Sequence, residues 1–238
     1  PLQVRRQMME TAALKVRRKD TVRVRESITL PGNKPAMEQI LWKQVSLLAT
    51  SAKSQDGSLL AEGQIQIFCL YEGEGEELPV QWFEETIPFS GTIELDQISE
   101  GMPSFTRMRL VHKELEAKPD ADGELRELDL DAVVELDIKI YEEEPLELVE
   151  DLYATDREID VVREENQFDK ILTNTTGKCK ITDRMKYDPT DRILQICHHD
   201  GQIKIDQVEV KGDGLEISGV LEVIFLYMTS DDKEPLRS

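Results

Sequence analysis

Residues 128–140 read LDLDAVVELDIKI, and in that run Leu128, Leu130, Ala132, Val134, Leu136, Ile138 and Ile140 occupy every second position. Asp129, Asp131, Glu135, Asp137 and Lys139 fall between them. A period of two sends one set of side chains to a packed face and the other to water, the signature of a long half-buried strand. Working outward, the alternation recurs at Leu59, Ala61, Ile65, Ile67, Cys69 and Tyr71 and at Val22, Val24, Ile28 and Leu30, where Pro31 and Gly32 stop it. Val80–Leu95 and Phe105–Leu115 add β-type runs, with turns expected at Ser90-Gly91, Gly101–Ser104 and Asp120–Gly123. Short connections between alternating runs predict a mainly β protein of antiparallel sandwich or barrel modules. Two short helical pieces are expected beside them. Pro1–Lys19 is rich in helix formers and reads as a basic linker or short helix. In Pro145–Tyr153, Leu146, Val149, Leu152 and Tyr153 stand at helical spacing, as in a joint between domains.

The chain also repeats itself. Asp56-Gly57, Gly63, Ile65, Ile67, Leu70-Tyr71 and Pro79 are answered by Asp213-Gly214, Gly219, Leu221, Val223, Leu226-Tyr227 and Pro235. From Gly63 onward the spacing is constant, whereas Pro35 and Ile40-Leu41 meet Pro189 and Ile193-Leu194 only with a few residues inserted. Each copy reads as a turn followed by a strand whose glycine admits another backbone or a bulky ring. The expected layout is therefore a 1–19 linker or helix, a first β module over 20–153, and a second over 154–238 that is truncated at its C-terminal end. A chain beginning at Pro1 and stopping soon after Tyr227 reads as a piece of something longer.

With 29 basic and 49 acidic residues the net charge is −20, and Arg5, Arg6, Lys15, Arg17, Arg18, Lys19, Arg23 and Arg25 crowd the N-terminal stretch, leaving the rest more acidic still. Such a field repels phosphate and anionic headgroups, which argues against nucleic acid and membrane-surface partners. The basic stretch could instead meet an acidic surface. No apolar run approaches the roughly 18 residues of a membrane helix, and no secretory signal is visible. Cys69, Cys179 and Cys197 are odd in number and scattered, without a C-x-x-C pair, which fits a reducing compartment better than a disulfide framework.

Residues that could carry chemistry are sparse. His198-His199 beside Cys197 is the one cluster of metal-type ligands, but neighbours on a strand point to opposite faces and no metal site is expected. His112 stands alone. The acidic runs Glu72–Glu77 and Glu142–Glu144 read as a hairpin loop and a strand exit, and they lack calcium-loop spacing. Gly73 and Gly75 lie among acids, which would repel a phosphate. Asn174-Thr175-Thr176 fits a glycosylation sequon. Carboxylate pairs are too abundant to single out a glycosidase dyad. Trp42, Trp82, Phe83 and Tyr153 could form a binding patch or pack within the fold. No catalytic, cofactor-binding or metal residue is assigned.

The run ITLPGNKPAMEQIL at Ile28–Leu41, then Gly63–Tyr71 and Ile87-Pro88-Phe89-Ser90-Gly91, resembles the SPOCS domain of spore-coat morphogenetic proteins from endospore-forming bacteria. The half from Lys178 through Ile193-Leu194, Gly219 and Tyr227 resembles another copy. The resemblance implies a non-enzymatic scaffold or adaptor acting through protein contacts in the mother-cell cytoplasm at the forespore surface. It implies spore-coat proteins as partners, the coat basement-layer ATPase among them. Relatives often carry a C-terminal LysM module, which these residues do not contain. Self-association through unpaired strand edges would suit a repeated β module. The alternatives are a carbohydrate-binding β-sandwich using Trp42 and Trp82 on wall or cortex glycan, and an acid/base glycoside hydrolase.

Overall fold

A computed structural model describes residues 2–75, 80–177, 179–184, 186–187, 192–231 and 236–238. Three of the prolines matched in the repeat (Pro79, Pro189, Pro235), Glu76, Glu77 and Lys178 lie outside the described residues. The chain divides into two compact units, Pro1–Gly177 and Lys178–Ser238. The first holds β1 (Leu2–Thr29), β2 (Met37–Gln55), β3 (Ser58–Gly73), β4 (Val80–Glu94), β5 (Ser104–Pro119) and β6 (Leu125–Ala154). They form two antiparallel three-stranded sheets in the orders β1-β6-β5 and β2-β3-β4.

The two alternating runs read most directly from the sequence are the central strands. Leu128, Leu130, Ala132, Val134, Leu136, Ile138 and Ile140 on β6 and Leu59, Ala61, Ile65, Ile67, Cys69 and Tyr71 on β3 are all 2% exposed or less. They meet in shared clusters with Val24 of β1, Met37 and Val45 of β2, Phe83, Ile87 and Phe89 of β4, and Leu115 of β5. Each strand therefore hides one side, and the two hidden sides make a common core. Strand edges are bridged by cations. Lys43 Nζ of β2 donates to the Leu115 carbonyl at 2.6 Å, Lys113 Nζ of β5 donates to the Val45 carbonyl at 3.4 Å, and Arg18 of β1 donates to the Glu94 carbonyl at 3.0 Å. Lysine and arginine at an edge cap carbonyls that would otherwise attract a foreign strand.

Among the described residues there is no helix, and both helical expectations are corrected. Pro1–Lys19 is neither helix nor linker: from Leu2 onward it belongs to β1, paired residue by residue with β6. Pro145–Tyr153 continues β6 as the partner of that same stretch, with Leu146 opposite Met9 and Val149 opposite Arg6. A register shift between Arg5 and Arg6 leaves Glu150 unpaired, and such a bulge inserts one residue and breaks strict alternation. Leu146 and Val149 precede it on opposite sides of a regular strand, and their three-residue spacing is no helical stripe. Glu142–Glu144 is likewise not a strand exit, since it lies mid-strand opposite Ala13, Ala12 and Thr11. Ser90-Gly91 is not a turn either, because β4 runs through it, and a Cβ built on Gly91 would meet Val22 at 2.5 Å. The turn expected at Asp120–Gly123 is present, while the one expected at Gly101–Ser104 lies earlier, closed by Met102 N donating to the Ser99 carbonyl, and Ser104 already opens β5.

The second unit holds β7 (Ile193–Lys211), β8 (Gly214–Thr229) and β9 (Leu236–Arg237) in one antiparallel sheet of order β7-β8-β9. Its bounds reproduce those of β2 and β3 displaced by 156 residues, 193 for 37 and 229 for 73. The register agrees too: Ile40 faces Tyr71 as Ile196 faces Tyr227, and shifts fall at Met37/Gln39 and Ile40/Trp42 as at Ile193/Gln195 and Ile196/His198. Ile193-Leu194 therefore answers to Met37-Glu38 and needs no insertion. The turn glycine is Gly212 (φ 62°), not Gly214, whereas in the first hairpin it is Gly57 (φ 71°).

Close approach explains both strand glycines. A Cβ on Gly63 would sit 2.7 Å from the Phe89 ring, and one on Gly219 would sit 2.2 Å from the Lys204 carbonyl oxygen. The first glycine thus admits a ring and the second a backbone. Gly63→Ala is expected to destabilise the first unit by about 1–3 kcal/mol, the usual cost of overpacking. Gly63→Ala combined with Phe89→Leu should recover part of that loss in urea unfolding followed by tryptophan fluorescence. Equal midpoints for Gly63→Ala and the parent would contradict the packing described.

Candidate functional site

Antiparallel pairing brings distant residues into rows. Trp42 on β2 stands opposite Leu70 on β3, which stands opposite Trp82 on β4. Directly opposed residues share a face, and the core side of β3 is already taken by Ile65, Ile67, Cys69 and Tyr71. The row therefore lies on the outer face of the β2-β3-β4 sheet. The adjacent row is Gln44, Phe68 and Glu84. Phe68 and Leu70 are nonetheless buried, and the Trp42 and Phe68 ring centroids are 5.3 Å apart at 57°. Trp42 keeps 41% of its surface exposed. Lys34 Nζ lies 4.6 Å from the Trp82 ring centroid and donates to Gln81 Oε1 at 3.4 Å. Gln66 donates to Glu84 at 2.9 Å along the same face. The result is a sheet face on which Trp42 and Trp82 flank the buried Leu70 and Phe68, with Lys34 over Trp82 and the amides of Gln44 and Gln66 beside them.

The four aromatics named from the sequence are not brought together. Trp42 and Trp82 share the row; Phe83 is buried on the opposite, core face; Tyr153 is exposed near the end of β6 in the other sheet. Leu70 and Phe68, which join the two tryptophans, were read only as strand residues. Nothing in a linear sequence marks them as outer-face neighbours until the register is known.

The outer face of the β1-β6-β5 sheet is a seam of ion pairs between basic β1 and acidic β6. Arg23 and Arg25 both donate to Asp131, at 2.9 and 3.1 Å. Lys19 and Arg109 reach Glu135 from either side, Arg6 pairs with Glu147 and Arg5 with Glu150, while Lys15 pairs with Glu142 on the side of the sheet that carries Ile140. Hydrogen bonds from Arg23, then from Arg25, hold the Asp131 carboxyl down at about 2. Lys118 lowers Glu116, Arg109 lowers Glu135 and Lys15 lowers Glu142, in each case chiefly through a hydrogen bond from the cation. A shallow trough on this face is lined by Arg25, Glu26, Glu114, Glu116, Lys118 and Asp129 among others. All these shifts favour the ionised carboxylate, whereas a glycosidase acid requires a carboxyl raised above its usual range.

The remaining chemistry-bearing side chains are dispersed. Cys197 and His198 are buried on β7, and the His198 and His199 ring centroids are 6.3 Å apart. Among the described residues no group of three or more His, Cys, Asp or Glu converges as a metal cage would. His112 Nε2 lies 3.8 Å from Glu114 on the exposed side of β5. Burial pushes the Cys69 thiol up to about 11, so it stays protonated and inert. Asn174 donates its side-chain amide to the Ser104 carbonyl at 3.2 Å.

Residues 36–118 match the family described as SipL, SPOCS domain. The matched segment starts one residue before β2 and ends one residue before the end of β5, so it contains the whole tryptophan row; β1 and β6 lie outside it. No curated protein matches the chain. No solved structure matches it either.

The Asp131 carboxyl is held well below its usual 3.8, so its contribution to stability is complete above about pH 4 and is lost as pH falls through about 2. Asp131→Asn should therefore lower the urea midpoint at pH 6 and flatten its decline between about pH 4 and pH 2. A parent and a variant with parallel acid limbs would show that the seam is not coupled to folding. Added salt should shrink the difference, since the pairs are exposed.

Proposed function

From the SPOCS domain at residues 36–118, which ties this chain to spore formation, we propose that the protein is a non-enzymatic adaptor in spore-coat assembly. Its work is to hold coat proteins at the forespore surface on the mother-cell side, the coat basement-layer ATPase being the partner the family suggests. The observation that carries the reading is the coincidence of the family match with the strands that build the tryptophan row: β2, β3 and β4 lie inside 36–118 and carry Trp42, Leu70 and Trp82. Partly exposed tryptophans beside a fixed cation are typical anchors of protein interfaces. The bridged edges of β2 and β5 favour docking on a sheet face over strand addition. On this reading the two units are copies in a tandem repeat, the shared register of β2-β3 and β7-β8 being its trace.

A second reading is favoured by the same row, because two indoles spaced across a strand, with Gln81 and Lys34 at hand, also suit a glycan face. Titration of tryptophan fluorescence with wall and cortex glycan fragments separates the two. Saturable quenching that Trp82→Ala removes would replace the adaptor reading.

Affinity capture from sporulating cells is expected to recover coat proteins with the parent chain and to lose them at least about tenfold with Trp42→Ala and Trp82→Ala together, the effect of removing central anchors. Equal recovery with both would move the contact elsewhere. Recovery of no coat protein by the parent would overturn the proposal.

A further inference from the structure

The outer face of the β1-β6-β5 sheet is neutralised pair by pair except at one corner. Among the described residues every basic side chain of β1 other than Arg17 makes an ion pair. On β5, Arg109 and Lys118 pair with carboxylates and Lys113 caps the Val45 carbonyl, which leaves Arg107. On β6, Arg126 binds the Lys34 and Pro31 carbonyls, which leaves Lys139. Strand register brings these three together. Arg17 stands opposite Lys139 and Lys139 opposite Phe105, and in the adjacent row Lys19 and Arg107 flank Asp137. Those two rows hold four cations and one carboxylate, on a chain whose net charge is −20.

Like charges set directly opposite one another destabilise a sheet, so the Arg17 and Lys139 pair works against the fold. Departures of this kind from local consistency are expected chiefly at functional sites. Apolar surface adjoins the cations. Phe105 is 45% exposed and meets Tyr141 edge to face at 5.6 Å and 89°, and the exposed Leu14 stands opposite Tyr141. Phe105, Arg107, Asp137 and Lys139 line a shallow depression of about 310 Å³. The same strands turn their other side to the covered core, so the cations stand on the outer surface of the first unit. We infer that this corner docks a short acidic segment of a partner protein, its carboxylates on Arg17, Arg107 and Lys139 and one apolar side chain against Phe105 and Tyr141.

Charge and size both select that occupant. A guanidinium binds a carboxylate through two parallel N–H donors, and neither Arg17 nor Arg107 has an internal carboxylate partner. The positive ground is also short. Along the strands it gives way to Glu143 and Glu147 on one side and to Asp131, Glu114 and Glu116 on the other. A nucleic-acid strand would run onto those carboxylates, whereas a few acidic residues stay within the two rows. Screening over about 8 Å at physiological salt keeps the more distant negative charge of the molecule from deciding the contact. The corner lies in the other sheet from the tryptophan row, and the inference does not depend on the coat-adaptor reading.

Fluorescence anisotropy with the whole chain tests it, using a short labelled peptide in which Glu and Asp surround one Phe. Saturable binding that weakens with added salt is expected, and none to the same peptide carrying Gln and Asn in place of the acids. Arg17→Gln and Arg107→Gln should each weaken it roughly tenfold, the usual worth of a charged hydrogen bond. Phe105→Ala should weaken it as well. Arg25→Gln removes one charge from a paired cation on the same face and should leave binding in place. Stability separates a binding cation from a structural one: Arg17→Gln relieves a like-charge contact and should hold or raise the urea midpoint. A parent chain that does not bind the acidic peptide overturns the proposal. So does binding that Arg25→Gln weakens as much as Arg107→Gln, or a lowered midpoint for Arg17→Gln. Tighter binding of a single-stranded oligonucleotide of equal charge overturns the choice of a peptide.

Discussion

The fold depends on β6 being two strands' worth of information in one. Its even-numbered residues from Leu128 to Ile140 supply the apolar side of a sheet, and its odd-numbered Asp129, Asp131, Glu135 and Asp137 supply an acidic outer side. The first set drives burial against β3. The second set selects a neighbour, because the strand that can lie beside a row of carboxylates is one carrying arginine and lysine at matching intervals, and β1 carries them. Single exposed ion pairs add little, but a chain of them fixes register where hydrophobic burial alone would tolerate a slip. The large negative charge of the molecule is thus locally offset where its two longest strands meet.

That division of labour also explains what could and could not be read from the sequence. Alternation over Leu128–Ile140 and Leu59–Tyr71 identified both central strands, since a period of two survives wherever one face is buried. It failed for Pro1–Lys19 and Pro145–Tyr153, where little but Val16 packs against the core and helix-forming residues such as Met8, Ala12 and Leu146 set the local preference. Strand pairing across more than a hundred residues overrides that preference. The signal that was present was the charge asymmetry: a basic N-terminal stretch and an acidic run ending near Glu150 are halves of one ribbon. At Gly91 a glycine that reads as a turn is instead the gap into which Val22 fits. Trp42 and Trp82 were legible as candidates for one surface, but their adjacency through Leu70 was not, because it is a property of register.

The two hairpins show how one supersecondary unit can serve different ends. In the first unit β2 and β3 turn their aliphatic side inward and leave aromatics on the other side, and both strands lie within the segment that matches the SPOCS family. In the second unit His198 stands where Trp42 does, the aliphatic side is bare, and the polar side is closed by its own ion pairs.

Hydrogen exchange of the native chain addresses the hub role of β6 most directly. The slowest amides should lie on β6 between Leu128 and Ile140 and on β3 between Leu59 and Tyr71, with the Leu2–Leu14 half of β1 exchanging sooner yet still protected relative to residues 155–177. If the β6 amides exchanged as fast as residues 155–177, or if Leu2–Leu14 showed no protection at all, the strand would not be the organising element and the account would fail.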